Sequence, residues 1–274
     1  ISEVSKVAKG PTVNLESSCT LTAISRGKEL KVFFQCNGGV VTALFHFGMT
    51  GNFKMTSAEE IPKHSHFRVF TLDPPGLVLN FVDQRRFGGW KINCDWGKDR
   101  GPDPITEYPL FRKNILTNLE DKFFLKPICE VLLSPKYFNG IGNYLRAEIL
   151  YRLAIPPFDT AIEVLYDLPL ESSKPDILSL CQSVPEEVIK LEKSKYFDDA
   201  LGDSDQVLFT DWLQCYGKPK MKSLKDHNKR TIWFVGKPGK LVPGGSRSVK
   251  GRGSRNKLVQ FQSDNKITLH EENL

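Results

Sequence analysis

The sequence has no C-x-x-C pair among its six cysteines, Cys19, Cys36, Cys94, Cys129, Cys181 and Cys215. That spacing offers neither a structural zinc site nor a redox dithiol, so no metal and no cofactor is expected. No apolar run is long enough to span a bilayer, and the first residues do not read as a secretory leader. Scattered cysteines without a leader fit a reducing compartment, cytosol or nucleus. Charge is not lopsided either: 38 Lys and Arg against 32 Asp and Glu leave a formal +6, which permits a nucleic-acid partner without demanding one. A start is also missing. ISEVSKVAKG opens at Ile1 with no Met and no helix start signal, so the chain is expected to be shortened at its N-terminus.

What remains is ample for folding. The 274 residues, 40% hydrophobic and 26% charged, have room for one large domain or two ordinary ones with a real core. Residues 1–98 predict β-structure. KVFFQC, VVTALFHFG, HFRVFTL and LVLNFVD are β-branched and aromatic runs parted by NGG, GMTGN and DPPG turns, the pattern of an antiparallel sandwich. A linker rich in Gly, Pro and charge is expected over 99–109. Apolar residues at three- and four-residue steps then predict helices over 110–217, in PLFRKNILTNLEDKFF, KPICEVLLS, AEILYRLA, PEEVIKLEKSKYF and the VLFTDWLQCYG region. Residues 218–243 predict a small basic β-hairpin. From 244 to 274 the chain reads as a disordered basic tail: Arg247, Lys250, Arg252, Arg255 and Lys257 have no acid among them. Such a tail adds attraction to phosphates or serves as a nuclear import signal. The fold class is therefore α+β.

Three glycine-punctuated elements carry the chemistry. FHFGMTGNFKM is strand, tight turn and strand, with Met49 at the tip. DQRRFGGW is a strand end holding Arg85, Arg86 and Phe87. FNGIGNYLRAEILYR places glycines and Asn143 at the mouth of a helix, where unpaired amides and the dipole suit an anion; a plain helix–helix turn explains that stretch equally well. A protein that strips a base from DNA must take it out of the stack, fill the gap with an apolar wedge, offer a cation to the widowed partner and grip phosphates on both sides. Met49, Phe87 and Arg85 are the right types for wedge and cation. Taken singly they have plainer readings, since Met and Phe are mostly core residues and an Arg pair on a strand is usually a solvated face.

Together the strings RGKEL, FGMTG, KHSHFR, VDQRRFGGW, RGPDPITEY, ICEVLLSPKYFNGIGNYLRAEILYRLAIPPF, WLQCYG and RTIWF, with the basic tail, resemble a eukaryotic member of the formamidopyrimidine-DNA glycosylase and endonuclease VIII superfamily over nearly the whole chain. The resemblance implies a β-sandwich and a helix-two-turn-helix domain with a zincless finger, and DNA between them. It implies a base excision repair glycosylase that flips out and removes oxidised bases and cleaves the strand by elimination. It makes Met49, Arg85 and Phe87 the void-filling set. His64, Arg85, Arg86, Asn143 and Arg230 become DNA contacts, and Lys28 the proton donor in strand cleavage. The plain reading of Lys28 is a strand-end charge. Residues 214–226 correspond to the loop that closes over the everted base, and Gln214 stands where relatives carry Lys or Arg. Glu148 reads as a structural acid sooner than as a pocket residue.

The family's nucleophile is an N-terminal proline amine followed by a glutamate, in the string Met-Pro-Glu-Gly-Pro, which does not occur here. Pro11 is no substitute, because an internal proline nitrogen is an amide. This polypeptide is therefore expected to be weak or inactive alone. Two other functions stay open: a catalytically inactive module that binds damaged DNA, and a helix-two-turn-helix binder without chemistry. Only the first of these has a use for a void-filling set. Partners expected are damaged double- or single-stranded DNA and, through the tail, repair or replication proteins. No membrane partner is expected, and the protein is read as a nuclear monomer.

Overall fold

The computed structural model describes residues 2–15, 18–72, 74, 76–195 and 209–244. The chain divides into two compact units that part between Lys98 and Asp99. The first is built from β1 (Ser2–Val4), β2 (Cys19–Arg26), β3 (Glu29–Cys36), β4 (Gly39–His46), β5 (Asn52–Ser57), β6 (Ser65–Phe70), β7 (Leu77–Val82) and β8 (Gly89–Ile92). They pair as two four-stranded antiparallel sheets, ordered β1-β6-β7-β5 and β2-β3-β4-β8. Alternation does the sorting: β3 turns Leu30, Val32 and Phe34 inward, and β4 turns in Ala43 and Phe45. Phe45 sits at the junction of the two sheets. Its ring centroid lies 5.0 Å from Phe53, 5.3 Å from Phe81, 5.5 Å from Phe67 and 5.6 Å from Trp90. Such aromatic pairs add about 0.5–1.5 kcal/mol each beyond their burial.

The second unit contains α1 (Tyr108–Leu116), a 3-10 turn (Lys122–Leu125), α2 (Ile128–Val131), α3 (Asn143–Arg152), α4 (Ala161–Leu165) and α5 (Ile177–Lys195), then a hairpin of β9 (Lys222–Lys225) and β10 (Thr231–Phe234). Phe111, Ile128, Ile149, Leu178 and Ile232 share its core. Helix α3 is its spine, with residues 145–150 all buried, including Arg146 and Glu148. Among the described residues no helix is long and apolar enough to cross a membrane.

Four readings of the sequence need correction. Cys19 and Cys36 are not isolated thiols: the β2–β3 register sets them opposite each other, Cα atoms 4.2 Å apart, and their sulfurs are bonded. A pair 17 residues apart is invisible to a search for short spacings. The expected linker is docked. Gly101 N–H donates to Pro135 O at 2.9 Å, and the Asn139 amide donates to Gly101 O at 3.0 Å. Asp103 Oδ1 takes the amides of Ile105 and Thr106, and α1 begins already at Tyr108. The run PLFRKNILTNLEDKFF is not one helix, because Asp121 caps a separate 3-10 turn by accepting from Phe123 N–H. And α5 starts at Ile177, well before Pro185. Asp176 Oδ1 accepts from the Leu178 and Ser179 amides while Ser179 Oγ accepts from Asp176 N–H, a reciprocal cap. The expected basic tail, from 245 onward, lies outside the described residues.

Asp176 also closes a buried ion pair. Arg112, 3% exposed, grips it through two nitrogens at 2.8 and 3.1 Å and donates to Pro169 O. Burial pushes the Asp176 carboxyl up, but the Arg112 hydrogen bonds and the Ser179 and Leu178 amides outweigh it, leaving its pKa below the ordinary value. Arg112→Met strands that carboxylate, and urea unfolding at pH 7 is expected to show a loss of about 3 kcal/mol. The depressed pKa makes the parent's advantage complete above the ordinary value of 3.8 and lost as pH falls through the folded value. The gap between parent and variant therefore narrows in acid.

Candidate nucleic-acid interface

In the first unit, the β4–β5 turn puts Met49 in solvent. Gly51 N–H donates to Phe47 O at 2.8 Å, closing the turn. Gly48 has φ 58°, and a side chain there would lie 2.6 Å from the carbonyl carbon of Phe87. The turn thus touches the loop after β7 backbone to backbone, and only glycine permits it. Met49 is 70% exposed and Phe87 54%, so neither is the core residue that its type suggests. Arg85 joins them: Nη1 lies 3.4 Å from Met49 Sδ, and Cζ 5.9 Å from the Phe87 ring centroid. The three residues picked from the sequence as wedge and cation do form one group.

The residue beneath them escaped the sequence reading. Asp83 is buried, and its Oδ1 accepts from Thr50 Oγ1 and from Arg85 N–H at 3.2 Å. Its Oδ2 accepts from Gly88 N–H at 2.7 Å. Its backbone is held as well, the amide by His64 O at 3.1 Å and the carbonyl by the buried His66 Nε2 at 3.0 Å. The signal was there: an Asp ending an apolar strand just before polar residues is the usual seed of a side-chain-closed turn. His64 and Arg86 flank this hub at positive φ, 67° and 55°, His64 half-buried and Arg86 exposed. Both are fixed in backbone conformations that β-branched residues avoid.

Lys28 stands exposed at the tip of the β2–β3 hairpin, after Gly27 at φ 60°. Its neighbour Glu29 turns inward and accepts from Gly97 N–H at 3.1 Å, which fastens the segment after β8.

In the second unit, Asn143 opens α3 behind Gly142, an extended N-cap that leaves the first amides without a side-chain cap. Its Nδ2 donates to Thr231 O at 3.1 Å, and its Oδ1 has no hydrogen-bond partner. One hydrogen of that amide is thus committed to the hairpin. Arg146, one turn further along the helix, does more. Fully buried, it pairs with Asp226 at 2.7 Å and donates to Cys129 O at 2.8 Å and Thr231 O at 3.4 Å. Asp226 Oδ1 accepts from the Asn228 and Arg230 amides, and Glu130 accepts from the amide and ring of His227. Together they fix the hairpin turn and leave the Arg230 side chain exposed. Arg146, Asp226 and Glu130 were also missed; for Arg146 and Glu130 a charged residue inside an apolar helical stripe is the only mark.

Glu148 is a structural acid. Fully buried, it accepts from three successive amides, Gln214 at 3.0 Å, Cys215 at 2.9 Å and Tyr216 at 2.8 Å, and leaves the Gln214 side chain in solvent. Burial, and then the Glu148 charge, push the Cys215 thiol up to about 12, so it is no nucleophile at neutral pH. Among the described residues no group of three or more His, Cys, Asp or Glu could hold a metal.

Residues 5–90 match the family model of the formamidopyrimidine-DNA glycosylase N-terminal domain, and 205–243 that of the DNA-binding region of endonuclease VIII-like 1. The chain is 43% identical over 288 residues to human Endonuclease 8-like 1, covering 97% of this chain and 73% of that protein. Among solved structures it is similar to the MutM (Fpg) protein of Thermus thermophilus, with TM-score 0.61 at 22% identity over 85% of this chain and 88% of that one. It is also similar to Lactococcus lactis Fpg in a complex with DNA containing an abasic site, with TM-score 0.51 at 19% identity over 79% and 80%. At those identities the two structures speak for the fold.

The contact at Gly48 is open to test. Gly48→Ala combines a positive φ with a methyl 2.6 Å from the neighbouring loop, and should lower the stability of the first unit by about 2 kcal/mol. Gly76→Ala has a similar φ of 70° but open space around it, and should cost about half as much. Thermal unfolding of the two variants reads the difference.

Proposed function

The chain belongs to the formamidopyrimidine-DNA glycosylase and endonuclease VIII family, which makes it a base excision repair DNA glycosylase, and we propose that its two units divide the work between a wedge and a phosphate clamp. The observation that carries this reading is the exposure of Met49 and Phe87, 70% and 54%, with a guanidinium beside both. A folded chain gains nothing by holding two large apolar side chains in water on turns built from glycine. In a duplex from which one nucleotide has been turned out, they replace the lost stacking, worth a few kcal/mol per step. Arg85 then offers donors to the unpaired base opposite, and His64 and Arg86 reach the flanking backbone.

The second unit supplies the sequence-independent grip. The amides at the mouth of α3 and the second Nδ2 hydrogen of Asn143 suit one phosphate, and the Arg230 guanidinium another, in forked geometry. We assign this part to a helix-two-turn-helix motif and a zincless finger, with residues 214–226 as the segment that meets the everted base. Lys28, at its hairpin tip, is the proton donor for elimination. The chemistry needs an amine that attacks the sugar, expels the base and forms a Schiff base. Residues 1–274 contain no Met-Pro-Glu string to supply the family's amine. Nuclear residence and recruitment of repair or replication proteins are assigned to 247–257, outside the described residues, and the working unit to a monomer.

The Met49→Ala/Phe87→Ala variant should lose at least about tenfold of its preference for a duplex with an abasic-site analogue over an intact one, while intact-duplex binding stays near the parent's. An unchanged preference would mean a plain nucleic-acid binder. Asn143→Ala and Arg230→Ala should instead weaken both duplexes alike and flatten the dependence of affinity on salt.

A further inference from the structure

We infer that Thr50 and Asp83 form a pin that makes the two wedge loops one rigid body, and that discrimination between damaged and intact DNA depends on this pin. The inference rests on the wedge reading above. Met49 and Phe87 stand on different loops, 38 residues apart in sequence. Their side chains are largely in water, so packing does little to fix them. Beside the backbone contact at Gly48, the loops are joined by hydrogen bonds through the Thr50 hydroxyl, one residue beyond Met49. It donates to Asp83 Oδ1 and accepts from Arg85 N–H at 3.3 Å, an amide that it shares with Asp83 Oδ1 at 3.2 Å. The other carboxylate oxygen holds Gly88 N–H, one residue beyond Phe87, at 2.7 Å. Each wedge side chain is therefore next in sequence to a group bonded to a single carboxylate. That carboxylate is 1% exposed, and its own backbone is held from both faces by His64 O and His66 Nε2.

A wedge must enter a gap of fixed size at the moment the base leaves. Two independently mobile loops would lose their freedom relative to each other on insertion, whereas a pinned pair has already lost it on folding. Because intact duplex offers no gap, this saving appears only with damaged DNA. The pin thus acts on selectivity and not on overall affinity. Thr50 and Asp83 are positioning residues. Neither needs to touch DNA to exert the effect.

The test uses the full 274-residue chain and two fluorescent duplexes, one with a tetrahydrofuran abasic-site analogue opposite 2-aminopurine and one intact. Thr50→Val keeps the shape and removes the hydroxyl. It should cut the damaged-over-intact affinity ratio by about tenfold, the worth of one or two hydrogen bonds, and reduce the 2-aminopurine response, with the salt dependence unchanged. Thr50→Ser should restore the ratio. Combined with Phe87→Ala, Thr50→Val should add nothing, because the pin has no wedge left to position. If Thr50→Val matches the parent while Phe87→Ala loses the ratio, the pin is wrong and the wedge stands. If Phe87→Ala itself changes nothing, both fall. If the two losses add, Thr50 acts through general stability and the inference is overturned. Should Thr50→Val fail to fold, Thr50→Ala removes the same hydroxyl and is judged by the same outcomes.

Discussion

A carboxylate taken out of water must be surrounded by donors, and this protein meets that demand with the backbone amides of its loops. Asp83 takes the amides of Arg85 and Gly88, and Glu148 those of Gln214, Cys215 and Tyr216. Asp226 takes Asn228 and Arg230, Asp103 takes Ile105 and Thr106, and Glu130 takes His227. Hydrogen bonds to a charged acceptor are worth about 1.5–3 kcal/mol each, and an unmade one leaves a buried charge uncompensated. Each of these loops is therefore held through its backbone amides by a buried carboxylate.

That economy bears on function. A loop held through its backbone has its side chains free to project. Met49, Arg85 and Phe87 stand out from the Asp83 hub, Arg230 from the Asp226 turn, and Gln214 from the Glu148 anchor. Asp83 directly follows β7, a central strand of its sheet, and Glu148 and its neighbour Arg146 lie on the buried stretch of α3. Rigid scaffold and exposed tip are thus one residue or one hydrogen bond apart.

Much of this was legible in the sequence, and for identifiable reasons. Period-two alternation around Val32, Phe34, Ala43 and Phe45 marks strands because successive side chains of a pleated strand point to opposite faces. The glycines of FGMTG and FNGIGN mark turns because other residues resist those angles. The helix register around Leu145 and Ile149 is equally plain. What misled was locality. PLFRKNILTNLEDKFF keeps helical spacing past Leu116, yet Asp121 captures the next turn for itself. Residues 99–109 have a linker's composition, yet Gly101 fits against Lys136 where no side chain would. Pro185 looks like a helix start, yet α5 carries it inside, since the Asp176 cap begins the helix earlier.

By itself the sequence determined the two-part α+β plan, the three glycine-punctuated motifs and the chemical types gathered in them, because those follow from local backbone sterics and from periodicity. Tertiary structure alone decided that Met49, Arg85 and Phe87 meet over Asp83, that Arg146 and Asp226 place the hairpin and Glu148 the amides of Gln214 to Tyr216, and that Cys19 faces Cys36. Cys19 and Cys36 are 17 positions apart, and Arg146 and Asp226 are 80 apart. Such contacts arise only when sheets and helices close on one another, because the need to satisfy a buried charge is set by burial, and burial is a property of the folded chain as a whole.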